Sequence, residues 1–265
     1  MVSPASASTK AAVQVPVTVD AEGQQAMDDT LWRQQTPRLV YATPSHQYPL
    51  GSVLTLARRL ALIEQARRHG AWILEDDYDS EFRHDGPPLA AMQGLLDDAP
   101  VVYLGTFSKS MFPGLRLGFI VMPAVLAERA VAVVGELVRQ GRAAEQRALA
   151  AFIHDGHFAR HLRRMRKLYA SRQQALRDAL DRHWPIEGVV LGGQGGMHLT
   201  LSLPASQPDA EVAQRALTLG LSPRPLSFYG TAGGTAGFNG LVMGYAHVPE
   251  KDVGRHVQTL VHALR

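Results

Sequence analysis

YLGTFSKSMFPGLRLGFI, residues Tyr103 to Ile120, sets one lysine, Lys109, in a loop of small and hydroxylated residues between two apolar runs that read as buried strands. A flexible ammonium is rarely placed so close to a core. The chain has only four lysines, Lys10, Lys109, Lys167 and Lys251, and draws the rest of its positive charge from arginine. A lysine in such a place points to chemistry arginine cannot perform, loss of a proton and formation of a Schiff base. The competing reading is a side chain snorkelling out of a strand-to-helix loop. Lys109 alone does not separate the two.

Working outward, Val101 to Leu104 and Leu117 to Val121 are the strands around this loop, and Trp72 to Leu74 and Leu39 to Ala42 are earlier ones. Leu54 to His69 carries Leu56, Leu60, Ile63 and Arg67 at helical spacing and stops at Gly70. Val13 to Val19 alternates like a strand, with Pro16 pointing to an edge position or to a strand that has lost a neighbour. Residues 20 to 37 predict a short helix, and residues 1 to 12 a disordered lead. Ala124 to Phe152 is helical, and Phe158 to His183 is a long arginine-rich helix. Beyond Gly188 come strands at Val189 to Leu191, Met197 to Leu203 and Leu241 to Tyr245, with helices at Ala210 to Leu219 and Glu250 to Leu264. The order implies an α/β domain over 13–180, with a mostly parallel sheet flanked by helices, and a small C-terminal α+β domain over 181–265.

A chain of 265 residues, 46% hydrophobic, can bury a core of that size. A net charge of +3 does not mark a nucleic-acid binder, and the absence of cysteine removes disulfides, thiolate metal sites and thiol nucleophiles. No secretory signal and no membrane-spanning run is evident, so the chain reads as soluble and cytoplasmic.

In open parallel sheets ligands bind at the carboxyl ends of the strands. EDDYDSEF follows the Trp72 strand and GTFSKS the Val101 strand, so both loops should face one cleft. It would gather Asp76, Tyr78, Thr106, Ser108, Lys109 and Arg116. A carboxylate, a phenol, two hydroxyls, an amine and a guanidinium are the groups that hold pyridoxal 5'-phosphate. The lysine forms the Schiff base, the carboxylate pairs with the ring nitrogen, and the hydroxyls and guanidinium take the phosphate.

TPSHQYPLG (43–51), ILEDDYDSEFRHDG (73–86), GTFSKSMFPGLRLG (105–118) and FARHLRRMRKLYASR (158–172), in that order, resemble the aminotransferase-like domain of the MocR (GabR-like) subfamily of GntR-type bacterial transcriptional regulators. The resemblance runs from Val13 to the C-terminus. It implies the type I fold of PLP-dependent transferases, Lys109 as Schiff-base lysine, Asp76 on the pyridine nitrogen, Tyr78 on the phenolic oxygen, and Thr106, Ser108 and Arg116 on the phosphate. It also implies a homodimer with a small amino compound as effector or substrate. The expected role is effector sensing within a regulator. The alternatives are an active amino-acid aminotransferase and a degenerate dimerisation domain without cofactor.

Three departures qualify that expectation. Nothing in the sequence resembles the winged helix-turn-helix of the family, or the early aminotransferase segment that carries a phosphate-binding helix N-terminus and a ring-stacking aromatic residue. The expectation is thus a fold incomplete at its N-terminus, with weakened cofactor affinity. Where a late strand of the fold carries an arginine for the substrate carboxylate, LVMGYA (241–246) has Val242, leaving Arg224 as a substitute from a neighbouring loop. Tyr48 stands where the wider fold has asparagine before proline.

Other readings compete. The run Glu75, Asp76, Asp77, Asp79, Glu81 could ligate a divalent cation but lacks the spacing of a calcium loop, and its outer members, Asp79 and Glu81, read as a solvated loop. His154, His157 and His161 suggest zinc, yet Gly156 interrupts their helix, and surface histidines are the plainer reading. The arginines of 158–183 fit a solvated or interdomain face better than direct DNA contact. Glycines at 192–196 read as a turn or hinge, and the glycine-rich 230–240 as a flexible connection.

Overall fold

The computed structural model describes residues 13–26, 28–84, 86–138, 141–230 and 238–265. The lead over 1–12 and most of the glycine-rich 230–240 therefore lie outside the described residues. Near the start, β1 (Val19–Asp20) and β2 (Gly23–Gln24) make a minimal antiparallel hairpin. Val13 to Thr18, expected to be strand, takes no regular structure. Pro16 has no amide hydrogen to give a ladder, and alternation without a pairing neighbour does not make a strand.

Helix α1 (Asp29–Gln35) starts because the Asp28 carboxylate accepts from the Leu31 amide at 2.7 Å, and it buries Trp32 completely. Four strands follow: β3 (Leu39–Ala42), β4 (Trp72–Asp77), β5 (Val101–Thr106) and β6 (Gly118–Val121), in that spatial order. The first three are parallel and β6 is antiparallel to β5. The crossover from β3 to β4 contains α2 (Leu56–His69), capped by Thr55 and closed by Gly70 at φ 63°.

The apolar stripe of α2 differs from its expected position. Leu56 and Leu60 are 59% and 39% exposed, whereas Leu62, Ile63 and Ala66 are buried. Arg59, also buried, rotates the helix by using its guanidinium on the carbonyls of Leu54, Pro44 and Ala90 at 2.8, 2.9 and 2.6 Å. With Trp32, Val40, Ile73, Met92 and Val101 these residues form the first core. Period two then sends Ile73 and Glu75 of β4 into that core and leaves Leu74 and Asp76 on the opposite face.

A one-turn helix, α3 (Phe107–Ser110), follows β5 where a loop was expected. The single helix expected over 124–152 is two, α4 (Ala124–Val138) and α5 (Ala143–His154), with Gly141 at φ 60° shortly before the second. Every described side chain of α4 is unburied, and Phe119, Ile120 and Val121 of β6 are likewise open.

Helix α6 (His157–His183) runs from the lysine turn into a second layered unit. There β7 (Val190–Leu191), β8 (His198–Ser202), β10 (Gly240–Gly244) and β9 (Arg224–Pro225) form an antiparallel sheet in that order, with α7 (Asp209–Thr218) and α8 (Glu250–His262) beside it. β9 carried no sequence signal, being two residues long and half proline. Val253, Val257 and Leu260 recur at helical spacing on α8 and meet Leu176, Leu180, Leu199 and Leu241 in the second core, each buried side chain contributing about 1.5–3 kcal/mol.

Candidate active site

Because β4 and β5 are parallel neighbours with Asp76 opposite Leu104, their carboxyl ends fall side by side. The chain leaves β5 at Thr106, whose Oγ1 accepts from the Ser108 amide at 3.1 Å and so starts the turn that carries Lys109. Asp76, Tyr78, Ser108 and Lys109 line one cleft of about 1640 Å³, together with Tyr41 and Tyr48. Thr106 stands behind Ser108, its hydroxyl 3.1 Å from that of Ser108. Arg116 is outside the cleft lining, exposed, at φ 53° after the Pro113–Leu115 turn.

The carboxylate of Asp76 is held by a residue that sequence reasoning did not single out. Tyr41, on β3, donates its hydroxyl to Asp76 Oδ2. Both side chains stand on the sheet face away from the first core. Burial, then the adjoining Asp76 carboxylate, raises the pKa of the Tyr41 phenol and keeps it a donor.

Tyr78 donates to the backbone carbonyl of His46 at 2.8 Å and lies 3.2 Å from its Nδ1. Behind it, His46 Nδ1 is 2.9 Å from Asp79 Oδ2, with side chains only 4% and 2% exposed. Asp79 is thus not in a solvated loop, as read from the sequence. The turn into the following short helix folds it under His46. Gly196 closes over the pair: a Cβ there would lie 2.0 Å from His46 Cε1 and 2.9 Å from Asp79 Oδ2.

His198 completes this group, its ring centroid 4.8 Å from that of His46 and its Nε2 donating to the Pro49 carbonyl at 3.1 Å. His46, Asp79 and His198 bring three ligand atoms within 4.8 Å of one another. The separation between Nδ1 and Oδ2 is that of a hydrogen bond, and His198 Nε2 is committed to Pro49, so the group reads as a hydrogen-bonded cluster. Burial, and then the charge of His46, takes His198 from its ordinary 6.5 down to about 4. The unfolded chain binds this proton more tightly. Stability is therefore complete above pH 6.5, falls as the pH drops, and levels off below about 4, a loss of about 3 kcal/mol. Urea unfolding across this range should show that slope in the native protein and a shallower one in His198→Gln; parallel curves would refute the assignment.

The acidic run does not converge on a cation. Glu75 accepts from the Met92 and Gln93 amides at 2.8 and 3.0 Å, and Asp77 accepts from Ser80 and Tyr103. Of the histidines near Gly156, His161 donates to the Ser110 carbonyl at 2.9 Å and His157 stacks on Phe152. Arginines of α6 tie the two units together: Arg166 to the Glu81 carbonyl, Arg172 to that of Ala246 and Arg177 to that of Gly192. Gly195 bridges to Arg83, so the glycine turn over 192–196 is packed against the first unit.

On the far wall, Val242 of β10 faces Arg224 across the ladder. Arg224 therefore sits on a strand, not in a loop, and both residues line the cleft. Tyr229 and Tyr48 meet there, hydroxyl to hydroxyl, at 2.8 Å.

A family model described as aminotransferase class I and II matches residues 6–231. The probable rhizopine catabolism regulatory protein MocR of Rhizobium meliloti is 38% identical over 94% of this chain and 50% of its own length. An uncharacterised HTH-type transcriptional regulator of Bacillus subtilis, YhdI, is 37% identical over 92% of this chain and 51% of its own. This chain spans about half the length of the curated relatives it matches. Among solved structures, the α-aminoadipate aminotransferase LysN of Thermus thermophilus, complexed with N-(5'-phosphopyridoxyl)-L-leucine, superposes with a TM-score of 0.82 at 28% identity, over 94% of this chain and 64% of that one.

Proposed function

The chain belongs to the class I and II aminotransferase family and has the type I fold of pyridoxal-phosphate-dependent transferases, and from that premise we propose that it is the effector-sensing, pyridoxal-phosphate-binding part of a MocR-type transcriptional regulator. The observation that carries the proposal is the single cleft shared by Asp76, Tyr78, Ser108 and Lys109. The sequence relatives MocR and YhdI point to regulation.

The donor set fits the cofactor. Lys109 would supply the amine that joins it, Asp76 the carboxylate for its ring nitrogen, Tyr78 a hydroxyl for its phenolic oxygen. Ser108, backed by Thr106, would face the phosphate. Arg116 is assigned there by its motif, its guanidinium standing outside the cleft lining in this structure. When bound, pyridoxal phosphate supplies an electron sink for charge developing on the carbon next to an amine. The ligand class is accordingly a small amino compound, whose arrival alters the packing of the two units around the cleft. A homodimer in the cytoplasm fits this role. The open apolar residues Val125, Val131, Val134 and Leu137 on α4 favour self-association, and among the described residues no helix is long and apolar enough to cross a membrane.

Similarity to LysN favours a second reading, an active aminotransferase in which Lys109 Nζ moves the proton at the substrate carbon. Titrating the purified protein with pyridoxal phosphate should produce a saturable visible absorbance band, and its absence would overturn cofactor binding. Amino donors should then perturb the band without continuous release of keto acid. Sustained release over many turnovers would replace the sensor with the enzyme.

A further inference from the structure

We infer that Tyr41 is a positioning residue of the cofactor site, acting through Asp76. The inference rests on the reading of Asp76 as partner of the ring nitrogen. A carboxylate at the end of a strand rotates freely about its last torsion unless something holds it. Of the hydrogen bonds made among the described residues, the one that reaches the Asp76 carboxylate comes from the Tyr41 hydroxyl, at Oδ2. Oδ1 is left for a donor in the cleft. The bond is charge-assisted and therefore of the stronger kind.

The arrangement is built into the sheet. In the parallel register Tyr41 lies beside Leu74, which places Asp76 two residues further along β4 on the same face. Val40 and Ala42 point into the first core and lock β3 in place, so the phenol reaches the carboxylate from a rigid strand. Tyr41 is 59% exposed and lines the cleft. Its hydroxyl can be removed without opening a cavity in the core. Neither Asp77, which takes Ser80 and Tyr103, nor Asp79, which takes His46, shares this role. Asp76, Asp77 and Asp79 are thus each committed to different partners.

The test compares the native protein with Tyr41→Phe, Asp76→Asn and the double variant. Each is titrated with pyridoxal phosphate and with its 1-deaza analogue, which lacks the ring nitrogen. The pH midpoint of the visible band is recorded alongside affinity, and circular dichroism establishes that each variant is folded. Tyr41→Phe should bind pyridoxal phosphate about tenfold more weakly, with a displaced midpoint. Both effects should vanish with the deaza analogue and in the Asp76→Asn background, since a residue that acts through another adds nothing once that other is gone. An unaltered midpoint in Tyr41→Phe, or a penalty that adds in full to that of Asp76→Asn, overturns the inference. If Asp76→Asn itself leaves affinity and midpoint unchanged, it is the assignment of Asp76 that fails.

Discussion

Lys109→Ala is expected to abolish covalent attachment of pyridoxal phosphate altogether. The chain has four lysines: Lys167 and Lys251 sit on α6 and α8 and do not line the cleft, and Lys10 is outside the described residues. Lys109 is exposed to the cleft, on a turn fixed by the Thr106 cap and by the bond from the Met111 amide to the Phe107 carbonyl at 2.9 Å. Only an amine that loses its proton can make the attachment, so Lys109→Arg should fail as completely as alanine, although it keeps the charge. Borohydride reduction followed by peptide mass mapping reads the result: one modified peptide spanning Lys109 in the native chain and none in either variant. Equal labelling of Lys167 or Lys251 would show surface amines reacting at random and would remove the cleft from the account.

The second large effect is on stability. Asp79→Ala strips the buried His46 ring of the carboxylate at Nδ1, leaving only the longer 3.2 Å contact to the Tyr78 hydroxyl, and Nε2 of the same ring already lacks a partner. Breaking one side of a buried polar pair costs about 3 kcal/mol, and a fall in the thermal midpoint of roughly 10 °C is expected for a chain of this size. His46→Ala should cost a similar amount. The double variant should cost clearly less than the sum, because each single change harms through the partner it strands. Calorimetry on the four proteins measures the coupling, and full additivity would mean that the two side chains are independent. Because Tyr78 donates to the His46 carbonyl, Asp79→Ala should also weaken cofactor loading, whereas an equally destabilising change in the second core should not.

Asp76 and Lys109 were legible in the sequence for a simple reason: each follows an apolar run, and parallel strands bring such ends together. Gly70 was legible as the end of α2 because a C-terminal stop is local chemistry, whereas the start, read at Leu54, lies at the Thr55 cap. Tyr41, His46 and His198 were not, since what matters about them is whom they meet. Tyr41 reaches Asp76 only through the β3–β4 register, and His198 comes to His46 from another sheet. The apolar run Leu39 to Ala42 placed Tyr41 on a strand without saying what stood beside it. The tilt of α2 was misread for a related reason: Leu56 and Leu60 look like core at helical spacing, and only the three carbonyls around Arg59 decide which side turns inward. The division of 124–152 into α4 and α5 was not read from the sequence.

Helix α6 spans about 40 Å with its 27 residues. Near its start His161 holds the carbonyl of Ser110, next to Lys109; in its last turns Leu176 and Leu180 are embedded in the second core. Between the two, Tyr169 rests on Phe82 with ring centroids 4.9 Å apart. One continuous helix therefore carries contacts to the lysine turn, to Phe82 of the first unit and to the second core.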